Sequence, residues 1–365
     1  MRSTDAKTRY AFLDGIRGLT ALYVVLNHVW ARFVLSPEVL PAWFHLLKFG
    51  HAAVGIFIVL SGFCLMLPVA RTPGYTVSGG IRGFLGRRAW RILPAYYAAL
   101  TLSFLLCVTV PLLGVPVDLT LANALAHALL VHNWIPRFSI TLNGPLWSIA
   151  LEWQIYFVFV LLLLPLRRRF GLVAGLVAAL VVGLVPLFLG YGPANPWFVL
   201  LFAIGMLGAE LALSSPRSLS PRQGRGIVAL TAATLLVHLV VWRDSFPWPT
   251  LPLASYASKV MLDLLLALTT VAWLVAGTRP SVPPLLAPTF RLLGSPPLVV
   301  LGSFSYSLYL MHDPLRAVPL RVLKPWINAA PLAVFPLVLV IIVPAVLGLC
   351  YLFHRVFERP FLRGL

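Results

Sequence analysis

The sequence predicts an all-α, polytopic membrane protein with about ten transmembrane helices and both termini on the cytoplasmic side. Composition is the first observation: of 365 residues, 60% are hydrophobic and only 10% charged, whereas soluble domains carry roughly a quarter charged residues. Apolar runs of about 20 residues then recur along the whole length, each long enough to cross a hydrocarbon core of roughly 30 Å. Finally, the basic residues gather in alternate connecting loops, as the positive-inside rule requires.

The predicted crossings are Ala11 to Phe33, Phe49 to Ala70, Ile92 to Val115, Pro145 to Leu166 and Gly171 to Leu189. They continue with Trp197 to Leu213, Ile227 to Trp242, Ala254 to Ala276, Leu298 to Met311 and Leu332 to Phe353. Orientation follows from Arg2, Lys7 and Arg9, the Arg71 to Arg91 group, Arg167 to Arg169, Arg217 to Arg225, Arg279 and Arg291, and Arg355 to Arg363, all on one side. Arg316, Arg321 and Lys324 fall on the other side and fit the rule least well. Counting Leu119 to Ile135 as a crossing would misplace Arg167 to Arg169, so it is expected to be external or re-entrant. Asn123, His127, His132 and Asn133 then face protein or water. Residues 1–365 are read as one membrane domain.

A net charge of +18 would raise nucleic-acid binding in a soluble chain. Here the charge is spread over the loops of a membrane protein, with no basic, aromatic-interleaved patch outside the apolar segments, and no nucleic-acid partner is expected. Cys64, Cys107 and Cys350 lie inside apolar runs without CxxC pairs or zinc-ligand spacing, so neither a disulfide framework nor a metal site is expected.

Ionisable residues inside apolar spans carry the most information, because each is costly there unless paired or solvated. Arg17 and His28 are eleven residues apart on the first helix, which puts them on one face with a rise of about 16 Å between them. Arg17 is placed near the cytoplasmic end and His28 in the outer half. One reading makes them two levels of a channel; in the other, Arg17 snorkels or pairs with Asp14 while His28 makes a packing hydrogen bond. Glu152 lies about 10 Å down the fourth predicted helix, a depth matched to His28, which predicts a His–Glu dyad. The alternative for Glu152 is a structural hydrogen bond to a neighbouring helix. Arg87, Arg88 and Arg91 cluster at the predicted start of the third helix, where a helix N-terminus also attracts phosphate; ordinary anchoring beside lipid headgroups is the alternative.

Lys259 and Asp263, four apart, predict an internal ion pair. Glu210 is expected to meet a loop arginine, and His312 with Asp313 is placed at the outer end of the ninth crossing. Trp147, Trp153, Trp242, Trp248 and Trp326 form an outer aromatic belt or a sugar-stacking platform.

Six stretches, in order, resemble the acyltransferase-3 family of bacterial membrane O-acyltransferases. They are FLDGIRGLTALYVVLNH (Phe12 to His28), AVGIFIVLSGF (Ala53 to Phe63), RRAWRILPAYY (Arg87 to Tyr97), NGPLWSIALEWQIYF (Asn143 to Phe157), LGSFSYSLYLMHDP (Leu301 to Pro314) and FERP (Phe357 to Pro360). The resemblance implies transfer of an acyl group, often acetyl, from cytoplasmic acyl-CoA to a hydroxyl of a glycan, glycolipid or secondary metabolite on the far side of a bacterial inner membrane. It implies Arg17 and His28 as the family's essential pair, Arg88 and Arg91 as its RxxR element for acyl-CoA, and Glu152 as the acid after the WS motif. Acyl-CoA, with acetyl-CoA foremost, is then a co-substrate, and no permanently bound cofactor is expected. Family members often carry an acid where this chain has Gly55 and another where it has Trp153, so acceptor handling is expected to differ. No SGNH-type domain is expected after the last helix.

The rival class is a secondary transporter or flippase for a glycan-linked substrate, which would also hold charges at mid-membrane depth. Transporters tend to show broken helices paired between two related halves, and no such pairing is visible here. A noncatalytic scaffold is the third class, favoured only by the two missing acids.

Overall fold

The computed structural model describes residues 10–33, 42–109, 120–214, 217–243 and 252–362, and these form helices joined by turns, without a strand. Seven helical stretches are long and apolar enough to cross a membrane: Gly50–Ala70, Gly80–Thr109, Leu146–Phe170, Gly192–Ser214, Pro221–Val241, Tyr256–Gly277 and Pro331–Leu362. The protein is therefore a multi-pass membrane protein. Its outer helices bear this out, with Leu236 61% and Val340 73% exposed, which lipid tolerates and water does not.

In chain order the helices are α1 (Ala11–Phe33), α2 (Gly50–Ala70), α3 (Gly80–Thr109) and α4 (Leu121–Ala128). A wide-turn segment, Phe159–Leu163, joins α5 (Leu146–Val158) to α6 (Leu164–Phe170). Then follow α7 (Leu172–Phe188), α8 (Phe198–Ser214), α9 (Pro221–Arg243) and α10 (Pro252–Gly277). The C-terminal third holds α11 (Ala287–Leu293), α12 (Pro296–Ser303), α13 (Ser305–Val322), α14 (Lys324–Ala329), α15 (Pro331–Leu337) and α16 (Val343–Phe353). Each of the ten predicted apolar segments falls on helix. The predicted third span beyond Thr109, Leu119, the residues Arg2, Lys7 and Arg9, and Trp248 and Arg363 lie outside the described residues.

Two predicted elements differ in ways that matter for the site. Helix α3 begins at Gly80, well before Ile92, because arginines interrupt an apolar run without interrupting a helix. Arg87, Arg88 and Arg91 therefore sit inside α3, and its unpaired N-terminal N–H groups are not theirs to share. The ninth predicted crossing is broken at Phe304 between α12 and α13, and α13 runs on to Val322. His312 and Asp313 are consequently mid-helix and not at its outer end.

Close backbone approach at small residues holds the bundle together, as membrane helices require when lipid is as apolar as leucine. Helix α8 is the central element, and α2 packs along it through Gly62 and Gly205. A Cβ on Gly62 would lie 2.1 Å from the Phe202 carbonyl oxygen, and one on Gly205 2.1 Å from that of Val59. Helix α1 meets α12 the same way, with Gly302 against the Asp14 carbonyl. Gly171, at φ +88°, reverses the chain from α6 into α7 so that the two lie side by side.

The segment read as external or re-entrant forms the short α4 and a turn at His132–Trp134, and it is not among the crossing helices. Asn123, His127, His132 and Asn133 are all buried in protein. Gln154 of α5 binds this segment by accepting from the Trp134 indole at 2.7 Å and donating to the Leu130 carbonyl at 2.7 Å. Tyr96 and Tyr97 of α3 donate to the carbonyls of His127 and Ala128. Glu210 of α8 receives a two-pronged contact from Arg167, both bonds 2.8 Å; the arginine expected in a loop lies in the last turn of α6.

Candidate active site

A cavity of about 1080 Å³ opens between α1, α2, α3, α5, α13 and the end of the last helix. Helix α2 contributes one stripe to it, Val54, Ile58, Ser61, Leu65 and Pro68, spaced three and four residues apart as one helix face requires. Arg88 and Arg91 from α3 and Arg355 and Arg359 from the end of the last helix line it. The last two escaped the sequence reading, where they counted only toward orientation; that they follow a crossing gives no hint that the chain folds back against α3. Arg87 does not line the cavity: its guanidinium donates to the Ser78 carbonyl at 2.6 Å.

Arg17 enters the cavity wall from α1, donating to Asp14 at 2.9 Å and to the Cys64 sulfur at 3.1 Å. The Asp14 pair expected from the sequence is thus present, and it leaves Arg17 lining the space rather than lipid. Glu152 also lines the cavity, where it accepts from the Ser61 hydroxyl at 2.9 Å and the Tyr156 hydroxyl at 2.5 Å. Arg17, Arg88, Arg91 and Glu152 share one chamber.

The His28–Glu152 dyad does not form. His28 Nδ1 lies 3.1 Å from His312 Nε2 and 3.3 Å from an Asp313 oxygen, and Arg316 grips the same carboxylate. The depth estimate failed because α5 starts inside the protein, not at its outer surface. Asn143, 2% exposed, donates to the Leu310 carbonyl at 2.8 Å, so the head of α5 is level with the residues just before His312. Glu152 lies about 9 Å further along α5 and therefore well below the histidines. The signal for Asp313 was present in the sequence as a His–Asp pair, but a helix assumed to end at Met311 made it look peripheral.

The tautomers follow from the partners. His312 Nδ1 faces the carbonyls of Leu308 (3.0 Å) and Tyr309 (2.9 Å), which only accept, so Nδ1 carries the proton and Nε2 offers a lone pair. His28 Nδ1–H then donates toward His312 and Asp313, which leaves His28 Nε2 as a free base. Tyr309 links this cluster to the cavity below: it lines the chamber, shares a 2.6 Å hydrogen bond with Ser148 and holds its ring 5.9 Å from that of His312.

The Lys259–Asp263 pair is likewise replaced. Asp263 accepts from His51 Nε2 at 3.0 Å and from the Trp197 indole at 2.8 Å, while Lys259 sits 5.4 Å over the Tyr256 ring. The carboxylate is thus held by an imidazole from α2 and by the indole just before α8. At the other end of α13, Glu358 of the FERP stretch accepts from the Ser307 amide and hydroxyl and from His354, so that motif ties the last helix to α13. No group of metal-ligating side chains occurs among the described residues.

An arginine-lined chamber and a carboxylate-held histidine lie within one helical membrane bundle. The chain belongs to the acyltransferase-3 family, whose acyltransferase-domain model matches residues 10–355. Among its relatives is the acyltransferase MdmB of Streptomyces mycarofaciens, 27% identical over 83% of this chain and 78% of that one. The BcsY protein of Komagataeibacter xylinus, named as a membrane-bound transacylase without established activity, is 26% identical over 84% of this chain and 73% of its own. Protein 2 of the picA locus of Rhizobium radiobacter is 31% identical over 42% of this chain and 79% of its own. No solved structure matches the chain significantly.

Proposed function

We propose that the protein transfers an acyl group, acetyl in the simplest case, from cytoplasmic acyl-CoA to a hydroxyl of a glycan, glycolipid or small metabolite on the outer side of a bacterial inner membrane. The observation that carries this reading is the vertical arrangement of two sites along α1. Arg17 opens on the arginine-lined chamber and His28, about 16 Å along the same helix face, presents a free ring nitrogen.

Arg88 and Arg91 hold the phosphates of CoA, with Arg355 and Arg359 facing them, because guanidinium forks match phosphate oxygens. The pantetheine arm runs up the chamber past Arg17 and Glu152 and brings the thioester beyond Tyr309 to the histidines. Arg17 lies too far below His28 to polarise the carbonyl under attack there, so its part is to hold the donor. His28 Nε2 takes the proton of the acceptor hydroxyl, the oxygen attacks the thioester carbonyl, and the CoA thiolate leaves with a proton returned by His28. Asp313 fixes the ring and stabilises the imidazolium between those steps.

Purified protein in lipid nanodiscs, given [14C]acetyl-CoA and a glycan and metabolite extract from cells lacking the protein, tests this reading. Label should pass into the extract, and Arg88→Gln with Arg91→Gln should raise the KM for acetyl-CoA by about tenfold or more. An extract that stays unlabelled with the wild-type protein sinks the assignment.

A further inference from the structure

Helix α13 carries a proline, Pro314, directly after Asp313. Proline has no N–H, so the carbonyl of Leu310, four residues earlier, loses its helical donor. Leu310 is buried, and a freed carbonyl inside a membrane bundle has to be satisfied by a neighbouring group. Asn143, from the turn that leads into α5, supplies that group. Its Nδ2 lies 2.8 Å from the Leu310 oxygen and 3.0 Å from the Ser103 hydroxyl of α3. Ser103 gives its own proton to the Ala99 carbonyl at 2.7 Å, which leaves its oxygen able to accept from Asn143. Both amide protons of Asn143 are thus committed, one to α13 and one to α3, and both Asn143 and Ser103 are buried. Leu142, just before, is held at φ +62° in the left-handed region that leucine rarely adopts. Strain of this kind persists only where the surroundings impose it.

The same stretch of chain packs on the histidine cluster. A Cβ on Gly144 would come 3.5 Å from Asp313 Oδ2, while Oδ1 of that carboxylate faces His28 Nδ1 at 3.3 Å. His312 Nδ1 donates to the carbonyls of Leu308 and Tyr309. Three consecutive carbonyls ahead of Asp313 therefore receive a side-chain donor, and Asn143 serves the last of them.

We infer that Asn143 is a positioning residue: by supplying the donor that Pro314 lacks, it fixes the turn from Leu308 to Pro314 and keeps Asp313 against His28. The pairing stands on geometry alone, whereas its effect on turnover rests on the acyl-transfer function proposed above. Without Asn143 the Leu310 carbonyl turns toward another donor, α13 bends differently at Pro314, and Asp313 moves with it. A displacement of about 1 Å at a catalytic group lowers the rate by about 10²-fold. The dependence is conditional, because a residue with its own N–H at position 314 makes the side-chain donor dispensable.

A double-mutant cycle tests this, with Asn143→Leu removing the donor at similar size and Pro314→Ala giving α13 its own N–H for the Leu310 carbonyl. Turnover is read in nanodiscs with [14C]acetyl-CoA and the extract described above, and stability as the unfolding midpoint in detergent. Asn143→Leu should lower kcat by about 10²-fold while the KM for acetyl-CoA stays within about twofold. In the Pro314→Ala background the same change should lower kcat by no more than about fivefold, and its effect on the midpoint should shrink to less than about half. Equal losses in both backgrounds overturn the inference, as does a donor KM that rises while kcat holds. If Asn143→Leu does not accumulate in membranes, Asn143→Ala runs the same cycle, and accumulation only together with Pro314→Ala counts as the coupling. A wild-type protein that labels nothing refutes the transfer reading, and the midpoints then decide by themselves whether Asn143 serves Pro314.

Discussion

Two backbone carbonyls, those of Leu308 and Tyr309, decide which nitrogen of His28 is basic, because they fix the proton of His312 and through it the hydrogen bond of His28. Asp313→Asn should therefore lower kcat by about 10²-fold or more with little change in the donor KM, since only the charged intermediate loses its partner. Glu152→Gln should act on the donor KM instead, because Glu152 lies in the chamber with Arg17 and Arg88; steady-state kinetics separate the two. His28 and Arg17 were legible in the sequence because ionisable groups stand out in apolar runs. Asp313 was not, since helix ends judged from hydropathy gave its depth wrongly. In the α4 segment, His127 and His132 stack 3.9 Å apart, both fully buried. Burial, with His127 adjacent, pushes His132 down to about 3, and burial lowers His127 too. The unfolded chain takes up protons near pH 6.5. The contribution of His132 is thus complete above about pH 6.5 and lost as pH falls toward its folded value, at about 1.4 kcal/mol per pH unit, and His127 acts in the same direction. Unfolding midpoints in detergent should fall steeply below about pH 6, and His132→Phe should flatten that slope.

At the scale of elements, the crossings were readable because a 20-residue apolar run has few ways to satisfy its backbone in lipid other than as a helix. What hydropathy could not show is where a helix continues through arginines, as α3 does, or breaks between apolar residues, as at Phe304. The α2–α8 contact depends on backbone proximity, so Gly205→Leu should push these helices apart; loss of folded, detergent-stable protein in size-exclusion chromatography is the expected result. Cys64 lines the chamber beside Arg17, whereas Cys350 is buried and Cys107 lies elsewhere. In a Cys107→Ala/Cys350→Ala background, maleimide labelling of Cys64 should slow severalfold when acetyl-CoA is added. Labelling that ignores acetyl-CoA places the donor outside this chamber.

Across the whole molecule, the arginine-lined chamber and the histidine cluster occupy successive levels of one bundle, and α1 runs through both. The family could be read from six short stretches because those stretches supply the walls of these two levels: α1, α2, α3, α5, α13 and the end of the last helix. Which stretch meets which was hidden, since contacts such as Glu358 with Ser307 join residues 51 positions apart. Sidedness is the property that ties chemistry to architecture. The most direct test is sealed inverted membrane vesicles, with [14C]acetyl-CoA supplied outside, where the cytoplasmic face lies, and the acceptor extract trapped within. Wild-type vesicles should label the trapped extract and His28→Ala vesicles should not. Equal labelling by His28→Ala would contradict the central claim that this histidine takes the proton of the acceptor hydroxyl as it attacks an acyl group delivered from the cytoplasmic chamber.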